Sequence, residues 1–236
     1  MATSRRAILA GLAASAYLPG SAGAQMHPAG VAWSDRPAFG HGPLAANRFA
    51  QIWRAPAAET FWPEAIPILG RDGPLPIKSK RGKTLLVTLW AEWCAPCLAE
   101  MPILSAFNKT YAGPRFEIVP IATGSKTLKT WTDAQARVDR IPGASLSTLI
   151  DGSRDGAGLE WALARMKVSP EAIAKLPPGS TIESVALPCL LIVDPQGRLR
   201  ARYQGGPGPG AEEKGPWGPP EGPGLIKALA EGAVWT

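Results

Sequence analysis

Thr84-Leu85-Leu86-Val87-Thr88-Leu89-Trp90-Ala91-Glu92-Trp93-Cys94-Ala95-Pro96-Cys97-Leu98-Ala99-Glu100 is the stretch that decides the fold. Thr84 to Trp90 is a continuous apolar run of strand length, the pattern of a strand buried on both faces. After Cys94, the residues Leu98, Met101, Leu104, Ser105 and Phe107 recur at helical spacing, which predicts a helix with a kink at Pro102. A Cys-x-x-Cys pair therefore lies between a buried strand and a helix. A cysteine at a helix N-terminus faces unsatisfied backbone N–H groups and the positive end of the helix dipole. Both favour thiolate over thiol, so Cys94 is predicted to have a lowered pKa and to be the attacking sulfur. Cys97, one turn later and less exposed, is placed to attack a mixed disulfide and release the product. Pro96 suits the first helical turn, where a missing N–H costs nothing.

Outward from this stretch, buried strands are predicted at Phe116–Ala122 and Cys189–Val193, and a shorter one at Ser147–Ile150. Helices are predicted at Leu128–Val138 and Gly158–Met166. Gly70-Arg71-Asp72-Gly73-Pro74 is turn chemistry between apolar segments that can pair as a hairpin. Asp194-Pro195-Gln196-Gly197 is a hairpin turn leading into Arg198–Tyr203. Strands alternating with helices, then a closing hairpin, imply an α/β fold with helices on both faces of a central sheet. Residues 25–58 read as an N-terminal extension, with a short helix expected between Leu44 and Trp53. The domain itself is expected over 59–206. Residues 207–236 read as a Gly/Pro-rich tail ending in a short helix, Leu225–Glu231, and both ends are expected to be loosely structured.

Composition narrows the function. The chain has 236 residues, 45% hydrophobic and 19% charged, with 26 Gly and 25 Pro, which fits one ordinary core with loop-rich additions. Thr3-Ser4-Arg5-Arg6, the apolar run Ala7–Leu18 and Ala22-Gly23-Ala24 together describe an export signal cleaved after Ala24. Ser4-Arg5-Arg6-Ala7-Ile8-Leu9 resembles the twin-arginine motif, with Ile8 where Phe is more usual; a plain Sec leader is the competing reading. Either route leads to the periplasm. The whole chain is net +6, and losing Arg5 and Arg6 with no acid leaves +4. That charge is spread out, and no basic run speaks for nucleic acid as a partner. The densest basic cluster, Lys78 to Lys83, reads as a solvated loop. With three cysteines and two histidines, His27 and His41, both in the extension, a structural zinc site fits poorly. No metal or other cofactor is expected.

Trp90-Ala91-Glu92-Trp93-Cys94-Ala95-Pro96-Cys97 resembles the active-site stretch of the thioredoxin superfamily. The continuation Leu98-Ala99-Glu100-Met101-Pro102 is similar to one branch, the TlpA/ResA-like periplasmic thiol–disulfide oxidoreductases, which include the cytochrome c maturation reductants. Arg81-Gly82-Lys83 and the later Leu187-Pro188-Cys189 to Asp194-Pro195-Gln196-Gly197 match that branch in the same order, so the resemblance spans about residues 60–205. It implies a thioredoxin-like fold and a redox-active Cys94–Cys97 disulfide. It makes Pro188 a cis-proline facing the pair and gives the Leu187 backbone the role of pairing with a substrate strand. Glu100 becomes the acid that tunes cysteine protonation, although an exposed helix Glu is an equal alternative. Relatives have Asp or Asn where this chain has Thr88, so proton handling would fall to Glu100, water or the cysteines. Ser169–Ser184 is expected to add a helix and loop that shape partner choice.

The odd cysteine, Cys189, reads first as a small buried strand residue, and alternatively as a third thiol able to exchange with the pair. Trp90 reads as core and Trp93 as a partly exposed lining for bound peptide. The function these residues imply is a monomeric periplasmic protein-disulfide reductase. Its partners would be exported proteins with disulfides or thiols and a membrane-bound electron donor. The same chemistry run as an oxidant, or a copper-binding module on this fold, are the alternatives. A peroxidase of the peroxiredoxin type would carry Thr where this chain has Ala91.

Overall fold

A computed structural model describes residues 30–167, 183–204 and 217–234. The leader, most of the Ser169–Ser184 insertion and the Gly/Pro run after Gln204 lie outside the described residues. The extension contributes β1 (Trp33–Pro37), α1 (Arg48–Gln51) and β2 (Arg54–Pro56). Next come β3 (Thr60–Phe61), β4 (Ile68–Gly70) and β5 (Gly73–Pro74), the last two forming the hairpin expected around Gly70–Pro74. The decisive stretch forms β6 (Thr84–Trp90) and α2 (Ala95–Tyr111). They are followed by β7 (Phe116–Ala122), α3 (Trp131–Asp139) and β8 (Leu149–Asp151). Then come β9 (Arg165–Lys167), β10 (Glu183–Val185), β11 (Cys189–Val193), β12 (Arg198–Gln204) and α4 (Glu221–Glu231).

The main sheet has the order β1-β2-β12-β11-β6-β7-β8-β4-β5, with β3 also on β12. It is mixed: β6, β7 and β8 run parallel, and β11 and β12 antiparallel to their neighbours. Alternation along β6 sends Leu86 and Trp90 to one core and Leu85, Val87 and Leu89 to the other, the period-two consequence of the pleat. The first core lies under α1, α2, α3 and α4. The second is covered by Trp62, the 3-10 turn Ile77–Lys80 and a turn of π-helix at Glu160–Ala164. An irregularity in the β11–β12 register, Ile192 opposite Ala201 but Val193 opposite Leu199, skips Arg200. It puts Leu199 in the second core while Ala201 and Tyr203 enter the first, as a bulge does.

Two expectations are corrected. The helix expected over Gly158–Met166 stops at Ala164, and Arg165–Lys167 instead pairs antiparallel with β10. Backbone pairing overrides the local apolar spacing there. The two ends are not loose where they are described. Within the extension, β2 joins the sheet beside β12, and α1 docks against α4. Asn47 Nδ2 donates to the Glu221 carbonyl at 2.8 Å, and the Arg48 N–H donates to the Glu221 carboxylate at 2.8 Å. The tail helix starts earlier than Leu225 because residues 222–224, poor helix formers, are carried by packing. At Gly222 a side chain would put its Cβ 2.3 Å from the Trp217 carbonyl oxygen, so only glycine allows that approach. Among the described residues no helix is long and apolar enough to cross a membrane.

Candidate active site

Cys94 and Cys97 are joined by a disulfide at the start of α2. Cys94 is the N-cap, and its Sγ accepts the Cys97 N–H at 3.3 Å. The helix N-terminus is thus aimed at the sulfur that sequence reasoning named as nucleophile, and that field favours a thiolate when the pair is reduced. Both cysteines are buried in the first core, Cys97 slightly deeper than Cys94. Pro102 lies inside α2 without ending it.

The residues before the pair are fastened to the loop after β7. The Trp90 indole is buried and donates to Thr148 Oγ1 at 3.0 Å, which makes it core. The Trp93 ring is 46% exposed, yet its indole N–H donates to the Gly124 carbonyl at 2.9 Å. Glu92 Oε1 accepts from the backbone N–H groups of Lys126 and Thr127 at 2.9 Å and from Thr127 Oγ1 at 3.0 Å. Burial opposes ionisation of Glu92, but hydrogen bonds from Ser125 and Thr127 outweigh it and hold its carboxyl below the ordinary value. Nothing in the spacing of the sequence pointed to Glu92 or Gly124.

Leu187–Pro188 is a cis peptide bond. Cys189 pairs with Leu89 across β11 and β6, so the antiparallel register brings Pro188 opposite Trp90, where the chain leaves β6 for the cysteine loop. Pro188 is buried and Leu187 half-buried; Leu187 packs on the core cluster that contains both cysteines. Thr88 is buried on β6 and offers no carboxyl.

Cys189 is a free thiol, fully buried in the second core. The sheet therefore separates it from the Cys94–Cys97 pair, and the geometry is that of a buried strand residue. Burial, partly offset by the charge of Arg202, pushes its thiol up to about 12.

Glu100 is buried, 7% exposed, one helical turn after Cys97, which disposes of the exposed-helix alternative. Its Oε1 accepts the Trp217 indole N–H at 3.1 Å, and its Oε2 is buried without a hydrogen-bond partner among the described residues. Burial pushes the carboxyl up to about 7, and the Trp217 hydrogen bond pulls the other way. Trp217 lies in the tail, and a lone Trp among Gly and Pro gave no signal of this contact. A second buried acid, Glu160, is pushed up to about 7 by burial and by Asp151 and Asp155. Among the described residues no group of three or more His, Cys, Asp or Glu is placed to hold a metal ion.

A family model described as AhpC/TSA matches residues 70–202. The chain belongs to the AhpC/TSA family. The match runs from the β4–β5 hairpin to β12 and so contains Cys94, Cys97, Glu100, Leu187 and Pro188, but not Trp217. It agrees with the thioredoxin-like fold that the sequence resemblance implied. The thioredoxin-like protein YneN of Bacillus subtilis (strain 168) is 42% identical over 36 residues, 15% of this chain and 21% of that protein. Tryparedoxin of Trypanosoma brucei brucei is 33% identical over 63 residues, 26% of this chain and 44% of that protein. The chain thus matches less than half the length of either curated relative. A thiol:disulfide interchange protein from Bacteroides sp. superposes on 75% of this chain and 90% of its own, with 15% identity and a TM-score of 0.46.

Proposed function

We propose that the chain is an exported thiol–disulfide oxidoreductase that reduces disulfides of other exported proteins, including those met in cytochrome c maturation. The observation that carries this reading is Cys94 as the N-cap of α2, disulfide-bonded to Cys97 one turn in. In the reduced protein the Cys94 thiolate attacks a substrate disulfide. One substrate sulfur leaves as a thiolate and a Cys94–substrate disulfide forms. The Cys97 thiolate then attacks Cys94 Sγ, forming the Cys94–Cys97 disulfide and releasing the second substrate thiolate. Two electrons pass from the pair to the substrate, and a membrane-bound electron donor restores the dithiol. The half-exposed Trp93 ring supplies an apolar platform beside the nucleophile, and the Leu187 backbone supplies the edge on which an extended substrate segment pairs. The Arg5-Arg6 leader supports the periplasmic setting. A peroxidase reading gains nothing from Ala91, which is fully buried and has no hydroxyl.

The test is insulin reduction by wild type, Cys94→Ser and Cys97→Ser. Turnover by wild type, none by Cys94→Ser, and a trapped mixed disulfide with Cys97→Ser are expected. A reduction potential near about −270 mV marks a reductant and one near about −120 mV an oxidant. Absence of turnover together with tight Cu(I) binding overturns the proposal in favour of the copper module.

A further inference from the structure

Among the described residues, the influences on the Glu100 carboxyl are its burial and one hydrogen bond, from Trp217. The groups that face it come from several elements. From β12 comes Tyr203, whose hydroxyl is pushed up to about 12 by burial and then by the charge of Glu100. From α2 itself comes Cys97, one turn earlier. From the C-terminal segment comes Trp217. Of the charged groups of α4, the Glu221 carboxylate accepts the Arg48 backbone N–H at 2.8 Å, and Lys227 pairs with Glu231 at 3.9 Å on the surface. One carboxylate oxygen thus rests on an indole N–H, and the other has no hydrogen-bond partner among the described residues.

That indole is fixed in place. Trp217 is 2% exposed, and its ring packs edge-on against Phe49 at 4.8 Å and tilted against Phe107 at 6.0 Å. Gly222 lets the first turn of α4 close onto the Trp217 backbone. Extension, tail and active-site helix therefore meet at one side chain, and its single polar atom points at the acid one turn from Cys97.

We propose that Trp217 is a positioning residue whose indole N–H holds the Glu100 carboxylate and sets the pH at which that acid exchanges its proton. A donor to a carboxylate favours the ionised form, so Trp217 lowers the pH at which the buried Glu100 gives up its proton. The consequence for catalysis rests on the oxidoreductase reading; the test of the contact does not.

The oxidised protein, in which neither Cys94 nor Cys97 titrates, isolates the acid. The Trp217 indole resonance in proton–nitrogen spectra is expected to move with pH around a midpoint near 7 in wild type and to be flat in Glu100→Gln. Trp217→Phe keeps an aromatic ring and removes the donor. Its Glu100 midpoint, followed by carbon NMR of the carboxyl, is expected to rise by about one pH unit, the size carried by one hydrogen bond to a charge. In the reduced protein the pH profile of cysteine alkylation should shift with Trp217→Phe and not shift further when that change is added to Glu100→Gln. An indole resonance that ignores pH in wild type, an unmoved midpoint in Trp217→Phe, or an equal shift in the Glu100→Gln background each overturns the proposal. Should Trp217→Phe fail to fold, the comparison of wild type with Glu100→Gln decides alone. Failure of insulin turnover with the Trp217–Glu100 titration intact removes the functional reading and leaves this one standing.

Discussion

The indole N–H of Trp93 donates to the backbone carbonyl of Gly124 at 2.9 Å, tying the residue before the nucleophile to the loop that follows β7. The same loop donates the Lys126 and Thr127 N–H groups to the Glu92 carboxylate. The cysteine loop is therefore held by two consecutive side chains, one of them half-exposed.

Trp93→Ala removes an exposed ring and one hydrogen bond, so its stability cost should stay within about 1 kcal/mol. Its effect on protein substrates should be larger. We expect kcat/KM for insulin to fall about tenfold, the equivalent of one aromatic contact of about 1.4 kcal/mol. Turnover of a small aromatic disulfide reagent should change less than twofold (about 0.4 kcal/mol). Equal losses on both substrates would show that Trp93 holds the loop and does not bind peptide.

Gly124 has φ +61°, and a Cβ there would lie 1.7 Å from Glu160 Oε2. Gly124→Ala combines backbone strain with displacement of a buried carboxylate, for a cost of about 2–4 kcal/mol by urea unfolding. Trp93 should lose its acceptor geometry, and its fluorescence should shift. An alanine variant as stable as wild type would contradict the packing described.

Cys189→Ala should leave oxidoreductase turnover unchanged, because the sheet separates this thiol from the pair. The lost sulfur contacts should cost about 1–2 kcal/mol. With its thiol pushed up to about 12 by burial, Cys189 should resist iodoacetamide in the native reduced protein and react only on unfolding. Any Cys189 cross-link found by mass spectrometry after mild oxidation would restore the exchange role.

The stability of the oxidised protein should carry a signature of Glu100. Its carboxyl sits at about 7 when folded and at an ordinary 4.5 when unfolded. Between these values the folded state holds the extra proton, so this contribution is full below about 4.5 and is lost as pH rises through about 7. The loss is at most about 3 kcal/mol. Glu100→Gln cannot titrate, so the difference in unfolding free energy between variant and wild type should grow in the variant's favour from pH 5 to pH 8. A difference that is flat across that range would mean that Glu100 titrates normally.

The centre of the fold was legible because its signals are local. The run Thr84–Trp90 could only be a doubly buried strand, and β7 and β11 repeat the pattern. The site's sulfur chemistry was legible for the same reason, since strand, Cys-x-x-Cys and helix are contiguous. The rest depended on contacts distant in sequence. Trp217 meets Glu100 across 117 positions, and Glu221 meets Arg48 across 173; no periodicity encodes such a meeting. Some cues were present and passed over. Thr130-x-x-Asp133 is a capping box, which moves the start of α3 from Leu128 to Trp131. The Gly158–Met166 helix failed because apolar spacing over a few residues cannot tell a short helix from a buried turn entering a strand.

Without the extension and β3, β12 would be a seven-residue margin of the core sheet with its backbone groups open to any passing strand. β2 and β3 occupy that margin, and β1 lies beyond. The strands left outermost, β1 and β5, end in Pro37 and Pro74, and a proline has no N–H to offer a newcomer. Each side of the sheet thus closes on a strand whose last residue withholds its backbone donor, and on the function proposed above that would direct an incoming chain away from these corners and toward the Leu187 edge beside the disulfide.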